Sequence, residues 1–262
     1  MELMRLNKFL SDAGVCSRRE ADRLTEQGLV TVDGEQAELG MKITPDARVK
    51  VRGVLVRQET KKVLIALNKP AGIVCTAQKR ERNNVIDFIR YPLRVFPVGR
   101  LDKDSTGLLL LTNDGELVNK IMRSGNYHEK EYVVTINKPV TMEFCRKMAS
   151  GVKILDTVTR PCQVIKTGEC EFRIVLTQGL NRQIRRMCHA LGCEVKTLKR
   201  VRIMNIYLGD LKEGSIREIQ GKELEELKSL LFNSSSLSVK QRKEGKTDNN
   251  SKNCGKIKKG GK

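Results

Sequence analysis

The sequence predicts an α+β fold: a mixed, mainly antiparallel sheet with a few helices, preceded by a small α/β module. Three observations carry this. Short apolar or alternating runs recur between breaks rich in Gly, Pro, Asn and Asp, as strands do. Helical spacing with caps appears only in scattered stretches, which favours strand runs over strict strand–helix alternation. The chain also changes character twice, dividing it into 1–62, 63–233 and a polar tail at 234–262.

In the first division, Leu6, Phe9 and Leu10 recur at helical spacing and line one face of a short helix ending at Gly14. Ser17 and Glu20 make a capping-box pattern for a second helix running to Gln27, with Gly28 placed to end it. Residues 29–34 read as a strand entering a tight turn, and 49–56 as another with cations on one side. In the second division, 63–74 reads as a strand broken at Lys69-Pro70 and Gly72. Strands at 95–98 and 108–111 flank a charged loop. Helices are expected at 85–89 and 116–122, the latter capped by Asn113 or Asp114. A strand at 130–136, a helix at 141–150 and strands near 152–156, 162–166 and 171–178 follow. A helix over 181–191, ended by Gly192, and a strand over 201–208 come last. The tail is nearly free of apolar residues, and a disordered basic segment is expected there.

The net charge is +19. Residues 1–62 carry 12 Lys/Arg against 10 Asp/Glu, residues 63–232 carry 29 against 19, and the remainder 9 against 2. The excess lies on the centre and the tail, so a polyanion is the expected partner. No apolar run approaches the roughly 20 residues that span a bilayer, and no signal peptide is visible. A cytoplasmic protein without a membrane partner is expected. Eight cysteines without Cys-x-x-Cys, and only two histidines, offer no paired ligand spacing; reduced thiols and no metal are expected.

Three separated clusters have the residue types of a site. Gly99-Arg100-Leu101-Asp102 presents a carboxylate among cations, with Lys103 and Asp104 beside it, on a loop between strands. A charged hairpin connection would look the same. Lys130-Glu131-Tyr132 opens an alternating strand, where a Tyr is ordinarily a sheet residue. Residues 181–202 hold seven cations (Arg182, Arg185, Arg186, Lys196, Lys199, Arg200, Arg202) against Glu194 alone. Such a cluster fits phosphate contact, with a solvated helix as the plain alternative. In the second expected helix, Arg19 and Arg23 share a face with Arg18 nearby.

Together the clusters resemble the pseudouridine synthases of the RsuA/RluF type. Gly-Arg-Leu-Asp-x-Asp-Ser-x-Gly-Leu-Leu is similar to that family's aspartate motif, Lys-Glu-Tyr to its tyrosine motif, and Arg-Gln-Ile-Arg-Arg-Met to its arginine motif. The stretch Arg5-Leu-Asn-Lys-Phe-Leu, Gly14, Cys16-Ser-Arg-Arg-Glu-Ala-Asp, Gly28 and Val32-Asp-Gly34 resembles the RNA-binding module named after small-subunit ribosomal protein four. The RluF branch, acting on large-subunit RNA, is the nearest in pattern.

The resemblance implies isomerisation of uridine to pseudouridine in ribosomal RNA, 23S above all, with a transfer RNA left open as a second substrate. Asp102 would be the nucleophile, Arg185 its charge partner and Tyr132 the ring that packs on a flipped-out base. Arg100, Leu101, Lys103, Arg182, Gln183 and Arg186 would line the RNA path, and Arg18, Arg19 and Arg23 would dock the module on RNA. A rearrangement needs no redox cofactor, metal or energy source. A monomer is expected. A non-catalytic assembly protein, a ribose methyltransferase and a retaining glycosidase fit less well. The first leaves three motifs unexplained, the second lacks a glycine-rich cofactor loop, and the third does not suit a basic surface.

Overall fold

A computed structural model describes residues 3–57, 61–78 and 80–234. The tail expected to be disordered lies, from residue 235 on, outside the described residues. In the N-terminal part, helices α1 (Leu6–Asp12) and α2 (Arg18–Glu26) accompany a four-stranded sheet in the order Glu35–Gln36, Val30–Val32, Val49–Val51, Val54–Leu55. Leu6, Phe9 and Leu10 are buried with Leu24, Val30 and Val49, each contributing roughly 1.5–3 kcal/mol of burial. Ser17 caps α2, its Oγ accepting from Glu20 N at 3.2 Å. The capping box is only half made: the Glu20 carboxylate turns to Arg23 at 2.7 Å instead of back to the cap. The run 49–56 is two strands rather than one, folded back at Arg52-Gly53, where both residues take positive φ.

A nine-stranded sheet organises the rest of the described residues. Its order is Gln163–Lys166, Glu171–Leu176, Lys130–Ile136, Val195–Ile203, Thr106–Thr112, Leu64–Lys69, Ile216–Glu218. Phe96–Val98 also pairs with Thr106–Thr112, and Ile206–Tyr207 with Val195–Ile203. Every pairing is antiparallel except the central one, Val195–Ile203 against Thr106–Thr112. The expected α+β, mainly antiparallel architecture is therefore present, with this one parallel seam making the sheet mixed.

The continuous apolar runs have a physical cause, since the sheet centre is covered on both faces. Leu64, Ala66, Leu108 and Leu110 face one core with α4 (Gly115–Met122) and the last helix, α7 (Gly221–Leu230). Ile65, Leu67, Leu109 and Leu111 face another with α3 (Val85–Ile89). A third core joins Val134, Phe172 and Ile174 to α5 (Met142–Ser150) and α6 (Gln183–Ala190). Asp114, not Asn113, caps α4, accepting from Glu116 N at 2.9 Å. Asn113 instead accepts from Val63 N at 3.0 Å.

Three further expectations need correction. The strand placed near 152–156 is two short ones, Lys153–Ile154 paired with Thr157–Val158. The strand placed at 201–208 begins at Val195, ends at Ile203, and turns at Met204-Asn205 into Ile206–Tyr207. The charge of 196–202 hides its alternation, in which Leu198 and Arg200 are buried while Lys196, Thr197 and Lys199 are exposed. The helix expected from 181 starts at Gln183, because Arg182 takes a left-handed φ of 49°.

Candidate active site

The Asp102 loop enters the sheet at Thr106, and the central parallel seam sets its place beside the strand carrying Arg200. Gly107 makes that seam possible: a Cβ there would lie 2.3 Å from Arg200 O. Buried Lys69 fastens the loop from behind, donating to Pro70 O at 2.7 Å, Ile73 O at 2.9 Å and Lys103 O at 3.2 Å. Leu101 is buried in the adjoining core, its N–H directed at Cys75 Sγ. Asp102 is left half-buried, facing two guanidinium groups. Its Oδ2 is 3.4 Å from Arg182 Nη1 and 3.8 Å from Arg185 Nε.

Those arginines come from the turn before α6 and from its first turn. Gln183, buried, accepts from Leu180 N at 3.0 Å, so it shapes this turn rather than offering a polar edge outward. Arg185 is anchored by Val195 O at 3.3 Å. Arg186 is exposed and held by Asn181 through Nε at 3.1 Å and Nη2 at 3.2 Å. Tyr132 arrives on the neighbouring strand. A bulge between Glu131 and Tyr132 sets it opposite Arg200, while Glu131 ties down Arg173 at 2.9 Å and Arg202 at 2.8 Å.

The result is a cleft of about 630 Å³ in which Asp102, Tyr132, Arg182 and Arg185 meet, with Arg100 and Leu101 on its wall. Asp102 and Arg185, 83 apart in sequence, converge here. Lys103 is exposed and does not line the cleft. Seven buried side-chain polar atoms lack a hydrogen-bond partner among the described residues. Five of them, on Ser105, Arg123, Gln178, Arg185 and Arg200, belong to residues of this cleft. Buried polar groups are normally satisfied, so the cleft concentrates hydrogen-bonding capacity that the described residues leave unused. Residues 63–190 match the family described as RNA pseudouridylate synthase, and residues 4–49 match the S4 domain. A dual-specificity RNA pseudouridine synthase RluF of Escherichia coli (strain K12) is 55% identical over 235 residues, covering 89% of this chain and 81% of that one.

The chain belongs to the RNA pseudouridine synthase family. A ribosomal large subunit pseudouridine synthase B of Bacillus subtilis (strain 168) is 37% identical, covering 86% of this synthase and 96% of its own length. A solved pseudouridylate synthase crystal structure superposes with a TM-score of 0.64 at 29% identity, covering 87% of this synthase and 99% of that chain.

Sequence reasoning missed the place of two cations in the synthase's cleft. Arg200 is 1% exposed and Lys130 is 5% exposed, and both line it. Burial, and then the Arg200 charge, push the Lys130 amine down to about 8. The signal for Arg200 was the alternation of Leu198 and Arg200, obscured by their cationic neighbours. The seven-cation cluster therefore divides. Arg200 is interior and Arg202 is paired with Glu129 and Glu131, while Lys196 and Lys199 stay on the surface. On α2, Arg18, Arg19 and Arg23 are exposed. The Arg23–Glu20 pair is solvated, and such pairs are weak enough to yield to a phosphate.

Proposed function

We propose that this synthase converts a uridine of 23S ribosomal RNA to pseudouridine, with Asp102 as the group that acts on the flipped-out nucleoside. The observation that carries this reading is the half-buried Asp102 carboxylate facing Arg182 and Arg185 in the cleft that also holds Tyr132. The carboxylate either attacks C1′ or removes the 2′ proton to give a glycal. In both routes two guanidinium groups balance its charge where water is thinned. The Tyr132 ring, partly buried between two cores, offers the face on which an extruded base stacks. Arg100, Lys103 and Arg186 guide the phosphate backbone at the mouth, and Arg18, Arg19 and Arg23 dock the N-terminal 62 residues on structured RNA. The reaction is redox-neutral, so these side chains suffice without a cofactor. The protein acts as a cytoplasmic monomer.

The choice of ribosomal RNA is supported by the name of the Bacillus relative, and the words dual-specificity in that of the Escherichia relative make a second RNA worth including, for which transfer RNA serves. The test is direct. Ribosomal and transfer RNA from cells lacking the enzyme are incubated with the wild type and with Asp102→Ala, and pseudouridine is mapped. The wild type is expected to modify large-subunit RNA and the variant to modify none. A variant as active as the wild type removes Asp102 from the chemistry, and modification confined to transfer RNA removes the ribosomal assignment.

A further inference from the structure

Arg200 lies on the strand between the one carrying Tyr132 and the one that follows the Asp102 loop. It sits opposite Tyr132 on one side and Gly107 on the other. Its Nε donates to Leu108 O at 2.7 Å, whereas Nη2 is buried without an acceptor among the described residues. Lys130, on the Tyr132 strand, uses one of its donors on His128 O at 3.0 Å. Among the described residues no carboxylate forms an ion pair with either cation. Glu129 and Glu131, the sequence neighbours of Lys130, are engaged by Arg202 and Arg173, and Asp102 faces Arg182 and Arg185. Two buried cations lining one cleft without a counter-charge are costly. The cost is offset where a ligand brings electron density to them.

The reaction assigned to this cleft generates such density. Breaking the N1–C1′ bond leaves its electron pair on the uracil ring, spread from N1 to the carbonyl oxygens. C1′ is taken up by the Asp102 carboxylate or becomes part of a glycal. The pair is then used from C5 to form the new bond to C1′, as the ester bond to Asp102 breaks or the glycal regains its 2′ proton; the C5 proton departs and N1 is protonated, so composition is unchanged. Between the two bonds the base is an anion that must be held while it turns. We propose that Arg200 and Lys130 form an oxyanion subsite, donating N–H bonds to the uracil carbonyl oxygens as the base leaves C1′. This rests on the Asp102 reading of the cleft. A backbone phosphate fits the position poorly, because the apolar Leu176, Ile184 and Leu198 line the same cleft.

The test uses the full-length protein under single turnover. The RNA segment mapped as modified is synthesised with either uridine or 5-fluorouridine at the target, and cleavage of the N-glycosidic bond is followed. Fluorine stabilises the departing base anion, so that substrate needs less help. Lys130→Met removes a desolvated charge at similar length and is expected to fold. It should slow uridine cleavage by about 100-fold, the scale of one oxyanion donor, leave the RNA Kd within about threefold, and lose only about tenfold on 5-fluorouridine. Lys130→Arg should recover most of the uridine rate, and Arg200→Met, checked for folding by its melting curve, should repeat the substrate-dependent pattern. Equal losses on both substrates, an unchanged rate, or a defect confined to RNA affinity overturns the subsite and leaves the Asp102 assignment standing. A wild type inactive on ribosomal and transfer RNA overturns both.

Discussion

Asp102, Tyr132 and Lys130 lie in one cleft but are held in three different ways, and each has its own test. Asp102 is balanced by charge, Lys130 is buried against charge, and Tyr132 is packed through its ring, with no hydrogen bond to its hydroxyl among the described residues. Tyr132→Phe is therefore expected to keep RNA affinity, whereas Tyr132→Ala should lose about 1–3 kcal/mol, the worth of one stacked base. Filter binding with the target RNA distinguishes them, and equal weakening by both would remove the ring from the base. Lys130 supplies a stability prediction with a definite sign. Its amine is depressed from 10.5 to about 8 in the folded protein, so between those values the unfolded chain holds a proton that the folded one has released. Stability contributed by this site therefore rises with pH across that window. Lys130→Met should melt above the wild type at pH 7, with the gap closing as the pH approaches 10. A constant gap would show that the amine is not desolvated.

At the scale of elements, the geometry of the cleft depends on the parallel seam at Gly107. Here φ is 94° and a Cβ would strike Arg200 O at 2.3 Å and Arg200 N at 2.9 Å, both backbone atoms that cannot step aside. Gly107→Ala should cost on the order of 3 kcal/mol or more by urea unfolding and should displace both the Asp102 loop and Arg200. Gly99 is a contrast. Its added Cβ would meet the flexible end of Met122 at 2.4 Å, so Gly99→Ala should cost only the left-handed backbone, about 1–2 kcal/mol.

How much of this was legible follows from what each element depends on. The strands 64–69, 106–112 and 130–136 and the cap Ser17 were readable because local periodicity and local hydrogen bonds determine them. Asp102, Tyr132 and Arg185 were singled out by their motifs, and the structure brings them together. The parallel seam was not readable, since its register is set by a pairing between residues more than 90 apart, Thr106 and Lys199. Arg200 and Arg202 read as surface cations facing RNA because seven cations among near neighbours overwhelm the alternation that sends one of them inward.

At the scale of the whole molecule the long-range term is charge. On the proposed reading, the cations of α2, of the cleft and of the tail each act on RNA through counterion release, which adds across sites regardless of base identity. The tail contributes nine Lys/Arg against two Asp/Glu from residue 233 on, a large share of the total excess in a short stretch. Removing residues 236–262 should therefore weaken RNA binding at low salt and flatten the dependence of log K on log salt, by about 0.7–0.9 for each phosphate that the tail neutralises. The effect should be strongest at low ionic strength and shrink as the Debye length falls. Modification rate at saturating RNA should stay unchanged, because the groups assigned to the reaction, Asp102, Tyr132, Arg182 and Arg185, all belong to the folded part. Parallel salt plots for the full and shortened chains would confine RNA electrostatics to the folded part, and a lower saturated rate would make the tail a participant in placing the target.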